Sequence, residues 1–299
     1  LGMSRGRGIS LVKDLSQIAY SVASVVQKYI ERPLCLKGYK FDLRLYILVT
    51  SFKPLEAFIY RDGFARVSTH QYSLNPEDTE NKFIHLTNSS IQVQNTEGPS
   101  KDSPLQAGED EEDTGGTKIS LLGNNGLWKR LEEFGIDIPA LWSSISSLVI
   151  KSLVMVDDKM VHQPCCFEMF GYDVLIDSDL RPWLLEVNAS PSLARPSPLD
   201  VRVKNAMIRD IFGVLNPAPY DRAAVLRILQ KRLSNISKNR FTMGKNDPEL
   251  ESDLREILGD YVPRLYGEMP ANMGNYEMLA PNTKEYERVL KLKKKIIKS

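Results

Sequence analysis

Hydrophobic and polar residues alternate in a segment within the first quarter of the chain. In Phe41–Ser51, the charged residues Asp42 and Arg44 alternate with apolar residues, and an apolar run follows. A period of two places successive side chains on opposite faces of a strand. The segment is therefore predicted to form a β-strand with one apolar face and a second face that begins with charged residues.

Further strands are predicted in two pairs. Leu55–Tyr60 and Gly63–Val67 flank the turn-forming residues 61–63, which indicates a hairpin. Cys166–Ile176 and Trp183–Val187 flank residues 177–182, which are rich in turn formers. The second pair is therefore expected to be antiparallel as well.

Helical periodicity appears between these strands. Apolar residues recur at helical spacing from Leu15 to Val26, where the strand-like segment Val26–Ile30 begins. Gly126–Glu133 and Ile138–Val156 are predicted to be helices, and the C-terminal third of the chain is mostly helical. Helices mixed with antiparallel strands predict an α+β fold.

Composition narrows the class of protein. The 299 residues are 42% hydrophobic and 26% charged, which excludes a largely disordered or collagen-like chain. Uninterrupted apolar runs are only a few residues long, so no membrane span is expected. Cys35, Cys165 and Cys166 fit neither a disulfide framework nor a zinc site, which favours a reducing, intracellular compartment.

Charge is strongly segregated along the chain. Residues 97–113 hold seven acids and one lysine, and a disordered loop is predicted over residues 95–117. Residues 195–240 carry a net charge of +7, and residues 284–298 carry +5. These basic segments suit an acidic macromolecular partner, although solvated helix faces would have the same composition.

Two carboxylates and an amide are predicted to converge in the second strand pair. Glu186 and Asn188 are two residues apart and share one face, and Asp173 of the preceding strand can lie opposite Glu186. Carboxylates this close repel each other unless a cation compensates them, and an all-oxygen set favours Mg²⁺. Backbone hydrogen bonds to a strand-end Asp and Glu are the alternative.

A second polar cluster is expected to line a cleft. Lys40, Asp42 and Arg44 share one face of the first strand, where burying their charges would be costly. Arg66 adds another cation, and the segment 85–90 adds short polar side chains that suit phosphate or ribose but also form turns. His85 by itself is interpreted as a structural histidine.

Several of these motifs occur together in one known order. They are Ser-Arg-Gly-Arg-Gly-Ile from residue 4, Val-Gln-Lys-Tyr-Ile-Glu from residue 26, Lys-Phe-Asp-Leu-Arg from residue 40, Arg66, His-Leu-Thr-Asn from residue 85, Asp173, and Glu-Val-Asn-Ala-Ser-Pro-Ser from residue 186. From about residue 1 to 220 the chain resembles the tubulin–tyrosine-ligase-like family, nearest its glutamylating members. The resemblance implies an ATP-grasp fold that holds ATP between two antiparallel sheets and ligates an amino acid to a tubulin carboxylate.

The resemblance also implies roles for individual residues. It makes Asp173, Glu186 and Asn188 ligands of Mg²⁺, and it makes Arg44, Arg66 and Glu186 catalytic. The residues expected to contact ATP are Arg5, Gly6, Arg7 and Gly8 of the phosphate loop, the hinge residues Gln27, Lys28, Tyr29 and Ile30, and Lys40, Asp42, Thr87 and Asn88. Those expected around the incoming amino acid are Arg66, Ser90, Lys118 and Lys204.

Two departures from the family pattern affect these roles. The upstream lysine strand of the ATP-grasp fold is expected but not found, so the chain is interpreted as lacking an N-terminal part. Ser89 stands where family members often carry an aromatic residue. The predicted organisation is a phosphate-lobe remnant and hinge over residues 1–30, a catalytic core over 31–220 and a basic helical extension over 221–299.

The function implied is an ATP-dependent ligase that adds free glutamate to glutamates in acidic tubulin tails through an acyl phosphate. The expected cofactors are ATP and Mg²⁺, with no nucleic-acid or membrane partner. A monomeric catalytic subunit, with or without accessory subunits, is expected in the cytoplasm and cytoskeleton, including cilium, basal body and axoneme. The alternatives are a catalytically incomplete microtubule-binding module, and a ligase that uses glycine or a small carboxylic acid.

Overall fold

The computed structural model describes residues 24–105, 114–161, 166–237, 248–259 and 261–298, together with residues 8–14, 16, 18 and 163. Within these ranges the strands are β1 (Cys35–Leu36), β2 (Tyr39–Phe52), β3 (Leu55–Tyr60), β4 (Phe64–Val67), β5 (Thr114–Gly115), β6 (Lys118–Ser120), β7 (Glu168–Ile176), β8 (Pro182–Asn188) and β9 (Tyr276–Ala280). The helices are α1 (Lys82–His85), α2 (Ser89–Gln92), α3 (Leu127–Glu133), α4 (Ile138–Val156), α5 (Pro198–Leu215), α6 (Arg222–Ser237), α7 (Pro248–Leu258) and α8 (Lys284–Lys298). The predicted mixture of helices with an antiparallel sheet is confirmed.

Strand β2 is the centre of the sheet. One of its edges pairs with β7, and β8 lies beyond β7. Its other edge pairs with β4 near the start of β2 and with β3 near its end. β6 and β5 extend the sheet beyond β4, and β9 extends it beyond β3. The strand pairs within the described residues are antiparallel.

The predicted hairpin at residues 61–63 is wrong. β3 and β4 do not pair with each other, because they follow one another along the same edge of β2. Asp62 interrupts the strand, and its Oδ1 accepts hydrogen bonds from the amides of Gly63, Leu121 and Leu122 at 2.8–3.2 Å. A Cβ at Gly63 would lie 2.4 Å from the Arg44 carbonyl oxygen, so this close crossing requires glycine.

Two helices and two strands follow the sequence prediction closely. α3 spans Leu127–Glu133, one residue shorter than predicted. α4 begins at Ile138 with Pro139 in its first turn, and the Asp137 carboxylate accepts from the amide of Ala140. β7 and β8 also confirm the predicted pair. In contrast, residues 24–30 have no regular structure, so the predicted strand 26–30 is wrong, and most of the helix predicted before it lies outside the described residues.

Helices pack on both faces of the sheet. On the first face, alternate residues of β2 join α3, α4 and α8 in one apolar core that includes Phe41, Leu43, Leu45, Trp142, Ile145 and Val149. On the second face, α5 covers Tyr46, Leu48, Phe58 and Tyr60 with Leu199, Val203, Met207 and Ile211. The rest of the second face, around Asp42 and Arg44, is polar.

Helix α4 is 19 residues long and is apolar enough, by length and composition, to cross a membrane. The expectation that no segment meets this test is therefore wrong, because a few polar residues within a helix do not prevent it. In the fold described, Leu141, Ile145 and Val149 are buried in the first-face core. We therefore assign α4 to the core of the sheet.

The C-terminal third adds a strand that the sequence analysis did not predict. β9 pairs with β3 at the sheet edge, and α8 packs near α4, where Lys293 Nζ donates to the carbonyl of Val154 at 2.7 Å.

The flanks of the loop predicted to be disordered have defined contacts. Arg130 donates to the Pro104 carbonyl at 2.7 Å, and β5 pairs with β6, whereas residues 106–113 lie outside the described part.

Candidate functional site

A buried network of two arginines and two carboxylates occupies the polar half of the second face. Arg66 Nε donates to Asp42 Oδ1 at 2.7 Å, and Arg66 Nη2 donates to Asp173 Oδ2 at 2.8 Å. Arg44 also binds Asp173 through Nε at 2.6 Å and Nη2 at 3.1 Å. The strand register causes this convergence, since Asp42 is paired with Arg66 and Arg44 with Asp173.

The electrostatics of this network favour its charged form. Burial by itself would raise the pKa of Asp173, but Arg66 and Arg44 together outweigh burial and hold that pKa below its ordinary value. Burial would likewise lower the pKa of Arg66, and the carboxylates of Asp42 and Asp173 raise it instead. The formal charges of the two arginines and the two carboxylates cancel, so the network is neutral as a whole.

Glu186 differs sharply from its neighbour Asp173. The two residues are directly opposite each other on β8 and β7, which confirms the predicted register. Glu186 is exposed, and its Oε1 accepts from Asn188 Nδ2 at 3.0 Å, while the same nitrogen donates to the Gly171 carbonyl at 3.2 Å. Glu186 is therefore the carboxylate of this set that no arginine neutralises in the described part of the chain.

The donor set of Asp173, Glu186 and Asn188 fits a magnesium ion in its chemistry, because all three offer oxygens from one face. No group of three or more His, Cys, Asp and Glu residues within the described ranges has an arrangement that could hold a metal. A cation here would therefore need the amide oxygen of Asn188 as well as the two carboxylates. Because Arg44 and Arg66 already hold Asp173, Glu186 would be the principal charged ligand of such a cation.

Lys118 and Lys204 meet on one carboxylate beside this network. Lys118 Nζ lies 2.9 Å from Asp200 Oδ1, and Lys204 Nζ lies 2.8 Å from the same oxygen. The two ammonium groups also lie 5.1 and 5.6 Å from the centre of the Phe64 ring. Lys118 is paired with Arg66 across β6 and β4, so the two polar clusters are contiguous.

The sequence analysis missed Asp200, although a signal was present. The Ser197 side chain caps α5 by accepting from the Asp200 amide, and Pro198 follows in the first turn. Asp200 and Lys204 are four residues apart, which places them on one helix face. Burial would raise the pKa of Asp200, but hydrogen bonds from Lys204, Lys118 and Ser197 hold it below its ordinary value.

Lys40 is buried at the other end of the polar face. Its Nζ donates to the His85 carbonyl at 2.7 Å and to the Tyr29 hydroxyl at 3.0 Å. The Tyr29 hydroxyl also lies 3.0 Å from His85 Nδ1. Burial lowers the pKa of Lys40 to about 8, with Asp42 opposing the shift. Tyr29, one of the predicted hinge residues, thus contacts Lys40 through its side chain.

The remaining predicted site residues lie in segments 27–30 and 87–90, at Gly8, or outside the described part. Thr87 is buried, and Asn88 precedes α2, which contains Ser90, without capping it through its side chain. The hydroxyl of Ser89 is buried without a hydrogen-bond partner among the described residues, which leaves a polar group that a ligand could satisfy. Gln27 and Lys28 are exposed, Ile30 is half-buried and Gly8 is in an exposed turn, whereas Arg5, Gly6 and Arg7 lie outside the described residues.

The basic surface expected on α6 is partly neutralised within the chain. Arg227 lies 3.0 Å from Glu256, Lys231 lies 3.4 Å from Glu249, and Arg232 binds Asp253. The acidic partners are all on α7. Within the described residues, part of the positive charge of α6 is therefore paired with the helix that follows it. That the basic segment 195–240 binds an acidic partner stays a prediction.

Comparison with known families shows which family the chain belongs to. Residues 2–223 match the tubulin-tyrosine ligase family over about three quarters of the chain. The chain belongs to this family. The predicted resemblance is confirmed, and the match includes both polar clusters together with the strands that position them.

Named relatives are similar to the chain over most of its length. It is 39% identical over 248 residues to tubulin polyglutamylase TTLL5 from Homo sapiens, covering 80% of this chain and 19% of that protein. It is 38% identical to tubulin monoglutamylase TTLL4 from Mus musculus, covering 71% and 18%. It is 32% identical to tubulin polyglutamylase TTLL7 from Homo sapiens, covering 92% and 33%. The chain thus spans between about a fifth and a third of the length of these relatives.

Proposed function

We propose that this chain belongs to an ATP-dependent ligase that adds glutamate to glutamate side chains in tubulin tails. The observation that carries the proposal is the juxtaposition of the Arg44, Arg66, Asp42 and Asp173 network with the Lys118, Asp200 and Lys204 cluster. Family membership and the names of the relatives support tubulin as the substrate. An ATP-grasp-like fold is part of the same proposal.

The reaction requires charge neutralisation more than a protein nucleophile. A carboxylate is a poor electrophile, so transfer of the ATP γ-phosphoryl group to it first gives an acyl phosphate and releases ADP. Attack by the unprotonated amine of glutamate on the acyl carbon then forms an amide bond, and phosphate and the amine proton leave. Arg66 and Arg44, held rigidly by Asp42 and Asp173, are preorganised to stabilise negative charge that develops beside them.

The nucleotide would be bound at the Lys40 end of the face. The Lys40 ammonium is positioned by Tyr29 and His85, and the polar residues Thr87 and Asn88 follow His85 closely in the chain. The hinge residues Gln27–Ile30 would contact adenine through their backbone. Asp173, Glu186 and Asn188 would hold a magnesium ion, which supplies positive charge to the phosphates of ATP when bound.

Acidic tubulin tails would be attracted by basic groups outside the helix pair α6 and α7. Lys291, Lys294 and Lys295 of α8 are exposed, and none of them belongs to an ion pair among the described residues. We propose these lysines as the electrostatic contact, with no nucleic-acid or membrane partner. The proposed setting is a monomeric catalytic subunit in the cytoplasm and cytoskeleton, including cilia, with accessory subunits where required.

Mass spectrometry of tubulin tails tests this function. The full chain is incubated with microtubules, ATP, Mg²⁺ and isotopically labelled glutamate, with glycine and tyrosine in parallel reactions. We expect mass increments of labelled glutamyl residues on glutamates of the tails, dependent on ATP. Increments of glycyl residues would favour the glycine-using alternative. Salt-sensitive microtubule binding without any increment would favour a catalytically incomplete binding module and overturn the proposal.

A further inference from the structure

The Lys118, Asp200 and Lys204 cluster has more positive than negative charge in a buried place. Asp200 is 1% exposed and Lys204 is 5% exposed, and both lysines share the Asp200 carboxylate. One carboxylate cannot neutralise two ammonium groups, so the cluster retains one positive charge. An anion that approaches the cluster would satisfy that charge.

Other elements fix the position of the cluster. Lys204 Nζ donates to the Ala194 carbonyl in the segment between β8 and α5, and the Phe64 ring of β4 faces both ammonium groups. Arg44 of β2 adds positive charge that acts on Lys204, as does Lys118 of β6. Within the described part of the chain, Asp200 is the acid that brings Lys118 and Lys204 together.

We propose that Asp200 is a positioning residue that holds Lys118 and Lys204 close together as the recognition site for the carboxylates of an acidic amino acid. This inference rests on the proposed function, because it assigns the acidic amino acid to the same site. With a net charge of −1, glutamate matches the residual positive charge of the cluster, whereas glycine has no net charge. Asp200 therefore contributes to selection of the amino acid without touching the reacting atoms.

Removing the Asp200 carboxylate would have a consequence that depends on pH. Burial lowers the pKa of Lys204, and Asp200 limits this decrease. Without Asp200, the positive charges of Lys118 and Arg44 would lower that pKa further. As pH rises through the lowered pKa, Lys204 would lose its proton and its attraction for a carboxylate. The binding defect would therefore grow with pH, whereas a purely structural defect would not.

The test compares Asp200→Asn with wild type in the full chain. We expect the KM for glutamate to rise by about tenfold at pH 8, and clearly less at pH 6.5, with a much smaller change in kcat. Asp200→Glu keeps the charge and should restore part of the affinity. Ser197→Ala, which weakens the start of α5 but leaves the carboxylate, is the matched control and should show no defect that grows with pH.

A readout independent of ligation separates this inference from the proposed function. The NMR chemical shift of the Lys204 ε-carbon, followed through a pH titration of isotopically labelled protein, reports the pKa of its ammonium group. In Asp200→Asn we expect this titration at lower pH than in the wild type. That shift, together with a wild type that never adds glutamate, would overturn the proposed function alone. An unchanged titration, or a KM defect equal at both pH values, would overturn the positioning role while ligation by the wild type stands.

Discussion

Two halves of one sheet face have the same backbone geometry and opposite chemistry. Along β2, Asp42 and Arg44 project from the polar half, and Tyr46 and Leu48 continue at the same spacing into the apolar half beneath α5. The apolar half anchors α5 through buried contacts. The polar half buries charges in a network that remains open next to Glu186. Packing on one half thus makes a rigid support for the charged groups of the other.

The comparison predicts that the polar half depends on complete pairing of its charges. Arg66→Ala leaves Asp42 and Asp173 buried without their shared cation, which should lower the free energy of unfolding by about 3–5 kcal/mol. Urea unfolding monitored by circular dichroism measures the change. Arg66→Lys retains the charge without the planar guanidinium and should cost less. A loss below about 1 kcal/mol in Arg66→Ala would contradict a tightly coupled network.

The apolar half should respond to lost volume. Ile211 of α5 is buried in the second-face core, and Ile211→Ala should cost about 2–5 kcal/mol of unfolding free energy. Ile211→Val should cost only about 0.5–1.5 kcal/mol in the same experiment. Because Ile211 lies outside the polar clusters, ligation measured well below the melting temperature should stay near the wild-type rate. A large loss of ligation in the folded variant would show that the apolar half also controls ligation, which contradicts the division of roles between the two halves.

Lys40 gives the polar half a pH dependence that the apolar half lacks. Burial lowers its pKa to about 8 in the folded protein, below the ordinary value of 10.5, so the unfolded chain binds the proton more tightly. Stability should therefore rise with pH through that window, by about 2 kcal/mol between pH 8 and pH 9.5 relative to Lys40→Met. Unfolding curves at each pH measure the difference. Parallel pH profiles for the two proteins would contradict the burial of a charged Lys40.

Glu186 should have the smallest effect on folding and a large effect on activity. Its carboxylate is exposed, so Glu186→Gln should change the free energy of unfolding by no more than about 0.5 kcal/mol. The substitution keeps the side-chain volume and removes the charge that would hold magnesium, so ligation should be lost. Calorimetry of Mg²⁺-ATP binding, compared with binding of ATP alone, measures the metal contribution. Wild-type ligation by this variant would exclude Glu186 as a metal ligand.

Local patterns predicted much of this fold. Alternation in β2 and the two-residue spacing of Glu186 and Asn188 are properties of single strands, and the short β7–β8 connection made their pairing predictable. The continuation of β3 into β4 was not predictable in this way, because residues 61–63 have the composition of a turn and only the pairing with β2 keeps them in line.

Long-range charge pairing was the part of the site least accessible from sequence. Asp173 is shared by arginines from β2 and β4, which are more than 100 residues away. Composition gives the number of charged residues but not which of them pair in the folded protein. Asp200 is different, since its spacing from Lys204 and the helix start at Ser197 were both readable.

We expect the polar half of this sheet face to serve ligation and the apolar half to serve stability. Both the free energy of unfolding and the rate of glutamate addition to microtubules would be measured for Glu186→Gln and Ile211→Ala, purified in parallel. We predict that Glu186→Gln loses ligation and keeps wild-type stability, whereas Ile211→Ala loses stability and keeps the ligation rate below its melting temperature. Loss of stability and ligation in the same proportion in both variants would contradict the claim.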